Sequence, residues 1–142
     1  MKLREDNFGF LLADVSRQLR RAFEHTFRDS SLTQAQARVL VYVLRNEGIR
    51  QVQLAELLDV KPITLARLID QLAASAMVER RADPTDRRAY LIYLARGAKP
   101  HLVAIDKAAS SVRADALRGI DKAEAERAFA TLRKMRDNLS GR

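Results

Sequence analysis

Apolar residues recur every three or four positions over residues 8–27, at Phe8, Leu11, Leu12, Val15, Leu19, Phe23 and Phe27, which predicts an amphipathic helix. Its opposite face is basic through Arg17, Arg20, Arg21 and Arg28. Thr33-x-x-Gln36 then has the form of a capping box, in which a hydroxyl and an amide each satisfy a free backbone donor. Val39, Leu40, Val43 and Leu44 are the expected inward stripe of the helix it opens, and Asn46-Glu47-Gly48 its end. A short helix over residues 52–58 is expected to bury Leu54, Leu57 and Leu58. The turn Asp59-Val60-Lys61 leads to Pro62, which a first helical turn tolerates because the amide there has no partner to lose. The helix behind it is expected to run to about residue 75 with Leu65, Leu68, Ile69 and Leu72 inward.

After this helix the period changes. Residues 77–81 and 89–94 read as strands, the second alternating Tyr90, Ile92 and Leu94 against Leu91 and Tyr93, with Asp83-Pro84-Thr85-Asp86-Arg87-Arg88 between them as a polar hairpin loop. Two helices follow, one striped by Leu102, Ile105, Val112 and Leu117, the other opened by Asp121-x-x-Glu124 and carrying Phe129, Leu132, Met135 and Leu139. The fold class is α+β and mainly α. Two short helices joined by a tight turn and followed by a hairpin form a winged helix-turn-helix, in which the second helix enters the DNA major groove.

A chain of 142 residues, 47% hydrophobic, suits one domain over 1–142. Residues of about 33–95 are expected to form its winged-helix DNA-binding lobe, and residues of about 6–29 and 98–140 its dimerisation helices. The formal net charge of +8 gives a field attractive to polyanions, double-stranded DNA above all. Lys61, Pro62, Thr64 and Arg67 open the recognition helix, and of these Lys61, Thr64 and Arg67 offer donors to base edges. Arg87 and Arg88 at the hairpin tip suit the electronegative minor groove, with Asp86 expected to orient Arg88. Arg80 and Arg81 are expected to grip phosphates, and Asp70 to pair internally with a strand arginine.

Three runs carry a family resemblance: residues 51–60, Gln-Val-Gln-Leu-Ala-Glu-Leu-Leu-Asp-Val; residues 64–72, Thr-Leu-Ala-Arg-Leu-Ile-Asp-Gln-Leu; and residues 78–89, Val-Glu-Arg-Arg-Ala-Asp-Pro-Thr-Asp-Arg-Arg-Ala. Together they closely resemble the pattern of the multiple antibiotic resistance regulator (MarR) family. The resemblance implies a homodimer with intertwined terminal helices and two lobes that meet a pseudopalindromic operator. It also implies a small-molecule effector held between dimer helices and lobes, whose binding weakens DNA binding and relieves repression. Three departures stand out. Ala76 replaces a family glycine, so a left-handed turn there costs roughly 1 kcal/mol. Ala95 replaces a threonine cap worth about 1 kcal/mol. Lys61 stands where serine or threonine is common.

The apolar stripes of the terminal helices have few other elements to cover them, and a two-fold partner is the economical cover. His25 with Arg17, Arg21 and Tyr42 forms a candidate site for an anionic aromatic or phenolic effector, although surface salt bridging accounts for the arginines equally well. His25 and His101 stand alone without metal-ligand spacing, and no serine, histidine and acid cluster marks a nucleophile, so neither catalysis, a metal nor a cofactor is expected. The chain has no cysteine, which excludes thiol-based sensing. No leader or membrane-length apolar run occurs, so a cytoplasmic chain is expected. Two other classes compete with the ligand-responsive regulator: a sequence-tolerant architectural DNA-binding protein, and a protein-docking module without duplex affinity.

Overall fold

Capping chemistry sets where the helices begin in the computed structural model, which describes residues 7–141. The Asn7 side chain accepts from the Gly9 amide at 3.0 Å and opens α1 (Phe8–Thr26). Position 6 of the expected N-terminal segment, and the residues 1–6 read for a leader, lie outside the described residues. The capping box forms as expected: the Thr33 amide donates to Gln36 Oε1 at 3.0 Å, the Gln36 amide to Thr33 Oγ1 at 3.1 Å, and α2 (Gln34–Arg45) follows. Asp121 accepts from the Glu124 amide at 2.8 Å to start α6 (Lys122–Ser140).

Between α2 and α6 the chain forms β1 (Ile49–Arg50), α3 (Gln51–Leu58), α4 (Pro62–Ala74), β2 (Val78–Asp83), β3 (Asp86–Leu94) and α5 (Ala98–Ala116). The sheet is antiparallel with order β1-β3-β2; Ile49 faces Ile92, and Arg80 faces Ile92 from the other side. Strand β1 gave no signal in the sequence because two residues cannot display a period. The core gathers Val39, Leu40 and Val43 from α2, Leu54 from α3, Leu65, Ile69 and Leu72 from α4 and Ile92 from β3, all fully buried. Each such side chain contributes about 1.5–3 kcal/mol by leaving water. The result is the mainly helical α+β winged-helix fold that the pattern predicts.

Two expected core residues are not core. Leu44 and Leu57 are 52% and 51% exposed, each on the last turn of its helix. Val43 and Leu58 on the same turns are buried, so the cause is angular: Leu44 and Leu57 sit about a quarter-turn to the side of the stripe that faces the core. Leu68 is only partly buried against the core.

The terminal helices differ sharply from the lobe. Helix α1 buries none of its residues and α6 only Ala125. Phe8, Leu11, Leu12, Val15 and Leu19 of α1, and Leu132 and Leu139 of α6, stay open to solvent. No helix is long and apolar enough to cross a membrane, among the described residues.

Ala76 adopts the left-handed conformation, φ 55°. The Met77 amide reaches back to the Leu72 carbonyl and the Ala76 amide to that of Ala73, the bond pair of a Schellman end. Helix α5 starts at Ala98 with Gly97 as its N-cap and no side-chain cap bond, and the Ala95 carbonyl accepts from the Ala98 amide at 3.1 Å. Gly97 is needed for space: a Cβ there would lie 2.7 Å from the Ala76 carbonyl oxygen.

Candidate nucleic-acid interface

The turn that aims α4 is closed by backbone bonds. Asp59 is left-handed at φ 53°, the Val60 amide donates to the Ala55 carbonyl at 3.1 Å, and the Arg38 guanidinium donates to the Leu58 carbonyl at 3.1 Å. Lys61 is the N-cap of α4 and Pro62 its first residue. A lysine cannot accept a hydrogen bond, so the first-turn amides of α4 have no side-chain acceptor at the N-cap. With Leu65, Ile69 and Leu72 buried, the helical period turns Ile63 and Arg67 to the opposite side, with Thr64 beside them. Lys61, Pro62, Ile63, Thr64 and Arg67 are all exposed.

The hairpin is longer in its strands and tighter in its turn than expected. Asp83 closes β2 and Asp86 opens β3, the two face each other, and only Pro84 and Thr85 lie between them. Arg87 and Arg88 are therefore strand residues rather than loop residues. The hairpin end projects into solvent and has no face to bury, so its strands carry no apolar alternation to read. Asp83, buried, organises the turn: its Oδ1 accepts from the Thr85 amide at 2.9 Å and from Thr85 Oγ1 at 2.7 Å, and its Oδ2 from Arg50 Nε at 2.8 Å. The Thr85 bonds hold its pKa below the ordinary aspartate range, burial opposes them, and the Arg50 charge adds to the lowering. Sequence reasoning missed Arg50, whose partner lies far away in the chain.

Of the arginines expected on phosphates, Arg80 is committed elsewhere. It pairs with Asp70 at 2.7 Å, as expected for Asp70, and also donates to Gln51 Oε1 at 2.9 Å and to the Ala66 carbonyl at 3.2 Å. It braces β2 against α3 and α4. Arg81 stays exposed on the other side of β2, donates to Glu79 at 2.7 Å and lies 3.8 Å over the Tyr93 ring; the Glu79 bond first of all raises its pKa. Asp86 does not pair with the Arg88 guanidinium but accepts from the Arg88 amide at 3.0 Å, fixing the backbone instead. Lys61, Arg67, Arg87 and Arg88 enter no ion pair among the described residues. Between hairpin and helices lies a cleft of about 310 Å³ lined by Arg50, Val52, Pro62, Arg88 and Tyr90 among others. Arg88 lines this cleft with Asp86, and Lys61 precedes its lining residue Pro62, so that free cations on α4 and on β3 form a surface suited to a polyanionic duplex.

A second cavity of about 550 Å³ lies where α1, α2 and α5 meet, with Arg20, Phe23, Arg38, Tyr42 and Ile105 in its lining. Of the expected effector residues only Tyr42 lines it. Arg17 pairs with Asp14 at 2.8 Å, and Arg21 and His25 lie on the side of α1 away from Phe23. The α1 arginine at the cavity is Arg20, and the second is Arg38 of α2, whose guanidinium also sits 5.5 Å over the Tyr42 ring. Spacing from Phe23 and Phe27 had the signal to choose Arg20 over Arg21; the Arg38 contribution needs the fold.

Comparison with known proteins bears on this geometry. The family model described as MarR family matches residues 30–89. The structure of the transcriptional regulator PA3341 is 37% identical, with a TM-score of 0.82 over 95% of this chain and 99% of that one. The Bordetella bronchiseptica BpsR structure, which concerns the mechanism for regulation of its DNA binding by 6-hydroxynicotinic acid, is 25% identical, with a TM-score of 0.80 over 96% of this chain and 98% of that one. The HTH-type transcriptional regulator YybA of Bacillus subtilis (strain 168) is 27% identical over 113 residues, 80% of this chain and 75% of that protein.

Proposed function

Since the chain belongs to the MarR family of transcriptional regulators, we propose that it is a repressor, acting in the cytoplasm as a homodimer on a pseudopalindromic operator and released by an anionic aromatic effector. The observation that carries the DNA half is the set of cations without an ion-pair partner among the described residues, Lys61 and Arg67 on the exposed face of α4 and Arg87 and Arg88 on β3. Lys61, Thr64 and Arg67 meet base edges in the major groove, Arg88 or Arg87 enters the minor groove, and Arg81 contacts phosphate. The solvent-open apolar faces of α1 and α6 pair with their copies in the partner, so residues of about 33–95 read DNA while the terminal helices hold the two lobes at a fixed spacing.

The effector half rests on the cavity between α1, α2 and α5. Arg20 and Arg38 suit a carboxylate, and Phe23 and Tyr42 suit a ring. BpsR, whose DNA binding is regulated by an aromatic carboxylate, supports this class of ligand. A carboxylate that draws the Arg38 guanidinium toward the cavity pulls on its bond to the Leu58 carbonyl, which immediately precedes the turn into α4. Ligand and operator would thus act on one turn.

The test is a mobility-shift titration on the DNA upstream of the chain's own gene and on random duplex, at one salt concentration. A large affinity ratio is expected, with Arg88→Ala lowering operator affinity about tenfold and the salt slope by about 1. A ratio near one would replace the regulator by a sequence-tolerant coating protein, and absence of any duplex affinity by a protein-docking module. Hydroxybenzoates and 6-hydroxynicotinic acid, added to the bound complex, should release it; release that persists in Arg20→Ala with Arg38→Ala would remove the cavity from the reading.

A further inference from the structure

Ile63 is the most exposed of the large apolar side chains among the described residues, with 73% of it open to solvent. It is the second residue of α4, one turn before Arg67, on the side opposite the buried Leu65, Ile69 and Leu72. A single exposed isoleucine is ordinary on a protein surface. This one stands between two free cations, Lys61 and Arg67, at the end of the helix that reaches furthest into a groove.

Resting on the DNA-binding reading above, we infer that Ile63 is a specificity-determining residue that reads the C5-methyl group of thymine in the major groove. An isoleucine side chain has neither donor nor acceptor, so it gains nothing from the polar edges of guanine, adenine or cytosine. The one apolar feature a duplex of the four ordinary bases offers in the major groove is the thymine methyl. Isoleucine suits that contact because it is β-branched and stiff, so little rotamer freedom is lost when it is covered. A protein partner fits the site poorly, since interface centres are depleted of lysine and charge, whereas the surround here is cationic on a chain of net charge +8. Thr64, beside it, carries a methyl and a hydroxyl and tolerates either a methyl or a phosphate; Ile63 tolerates only the first.

The experiment starts from duplexes selected by the full-length protein out of a random pool, then resynthesised with deoxyuridine in place of each thymine in turn. This change removes the methyl and keeps every hydrogen-bonding group. The wild type should lose about fourfold in affinity at one thymine of each half-site, the factor for one methyl-sized apolar group. Ile63→Ala should bind the same duplexes without responding to deoxyuridine at that position, while keeping its affinity for random duplex and its far-ultraviolet circular dichroism. Alanine is a good helix former and the site is exposed, so the variant should fold. Equal deoxyuridine effects in wild type and Ile63→Ala at every position overturn this inference and leave the DNA-binding reading standing. A pool from which nothing is enriched overturns both.

Discussion

Helix α4 buries Leu65, Ile69 and Leu72 within its own chain, whereas α1, which carries more large apolar residues, buries none. Both helices show the same periodic pattern, and what differs is the supply of neighbours. Around α4 stand α2, α3 and the sheet, so its stripe is closed by the fold itself. Along α1, the stripe from Phe8 to Leu19 meets water. The lobe closes its stripes within the chain, with Ile105 and Ala108 of α5 joining its core, whereas the outer faces of α1 and α6 stay open; under the proposed function a second copy covers them.

The largest effect is expected at the open stripe of α1. Leu12→Asp with Val15→Asp should give a monomer in sedimentation velocity, with the lobe still folded by circular dichroism. Operator affinity should fall more than about 100-fold, since the second half-site no longer binds as part of one molecule. Unchanged association would mean that the stripe is not the interface. Leu40→Ala strikes the other region; a cavity at a fully buried leucine should cost about 2–5 kcal/mol in urea unfolding, and a loss under about 1 kcal/mol would deny the lobe its separate core.

Smaller effects sharpen the contrast inside the lobe. The lowered pKa of Asp83 means that, just below the ordinary aspartate range, the unfolded chain binds a proton that the native chain does not. Its contribution is complete above that range and is lost as pH falls through the lowered native value. In acid titrations followed by circular dichroism, Asp83→Asn should flatten this part of the stability profile, whereas an unchanged profile would discount the Thr85 bonds. Smallest of all, Ala76→Gly should raise stability by about 0.5–1 kcal/mol in the same urea assay, because relief of the left-handed strain at φ 55° exceeds glycine's added unfolded-state entropy.

Much of the lobe could be read from the chain alone, because its elements are amphipathic and bounded by chemistry that acts locally: the Thr33 box, Pro62, the Asp121 cap. The same locality explains what could not be read. Arg50 and Arg80 owe their roles to partners brought together by the sheet, so nothing near them in the chain marks one as a clasp for the hairpin and the other as a brace. Arg87 and Arg88 were legible as solvent-facing cations, but not as strand, because a two-sided polar hairpin lacks the alternation that identifies a strand. At the cavity, spacing from Phe23 and Phe27 is enough to turn Arg20 inward on α1, whereas Arg38 reaches the same cavity only because α2 packs beside α1 and α5.

Arg38 links the Leu58 carbonyl, before the turn into α4, to the cavity it lines, so under the proposed function an effector at its guanidinium is coupled to operator binding. Thermodynamic linkage then makes the arrangement symmetrical: whatever factor an occupant takes from operator affinity, the operator must take from the occupant's. Under the proposed function, promoters already held by the protein would raise the dose needed to free them, and the number of such promoters would help set the concentration at which genes switch on.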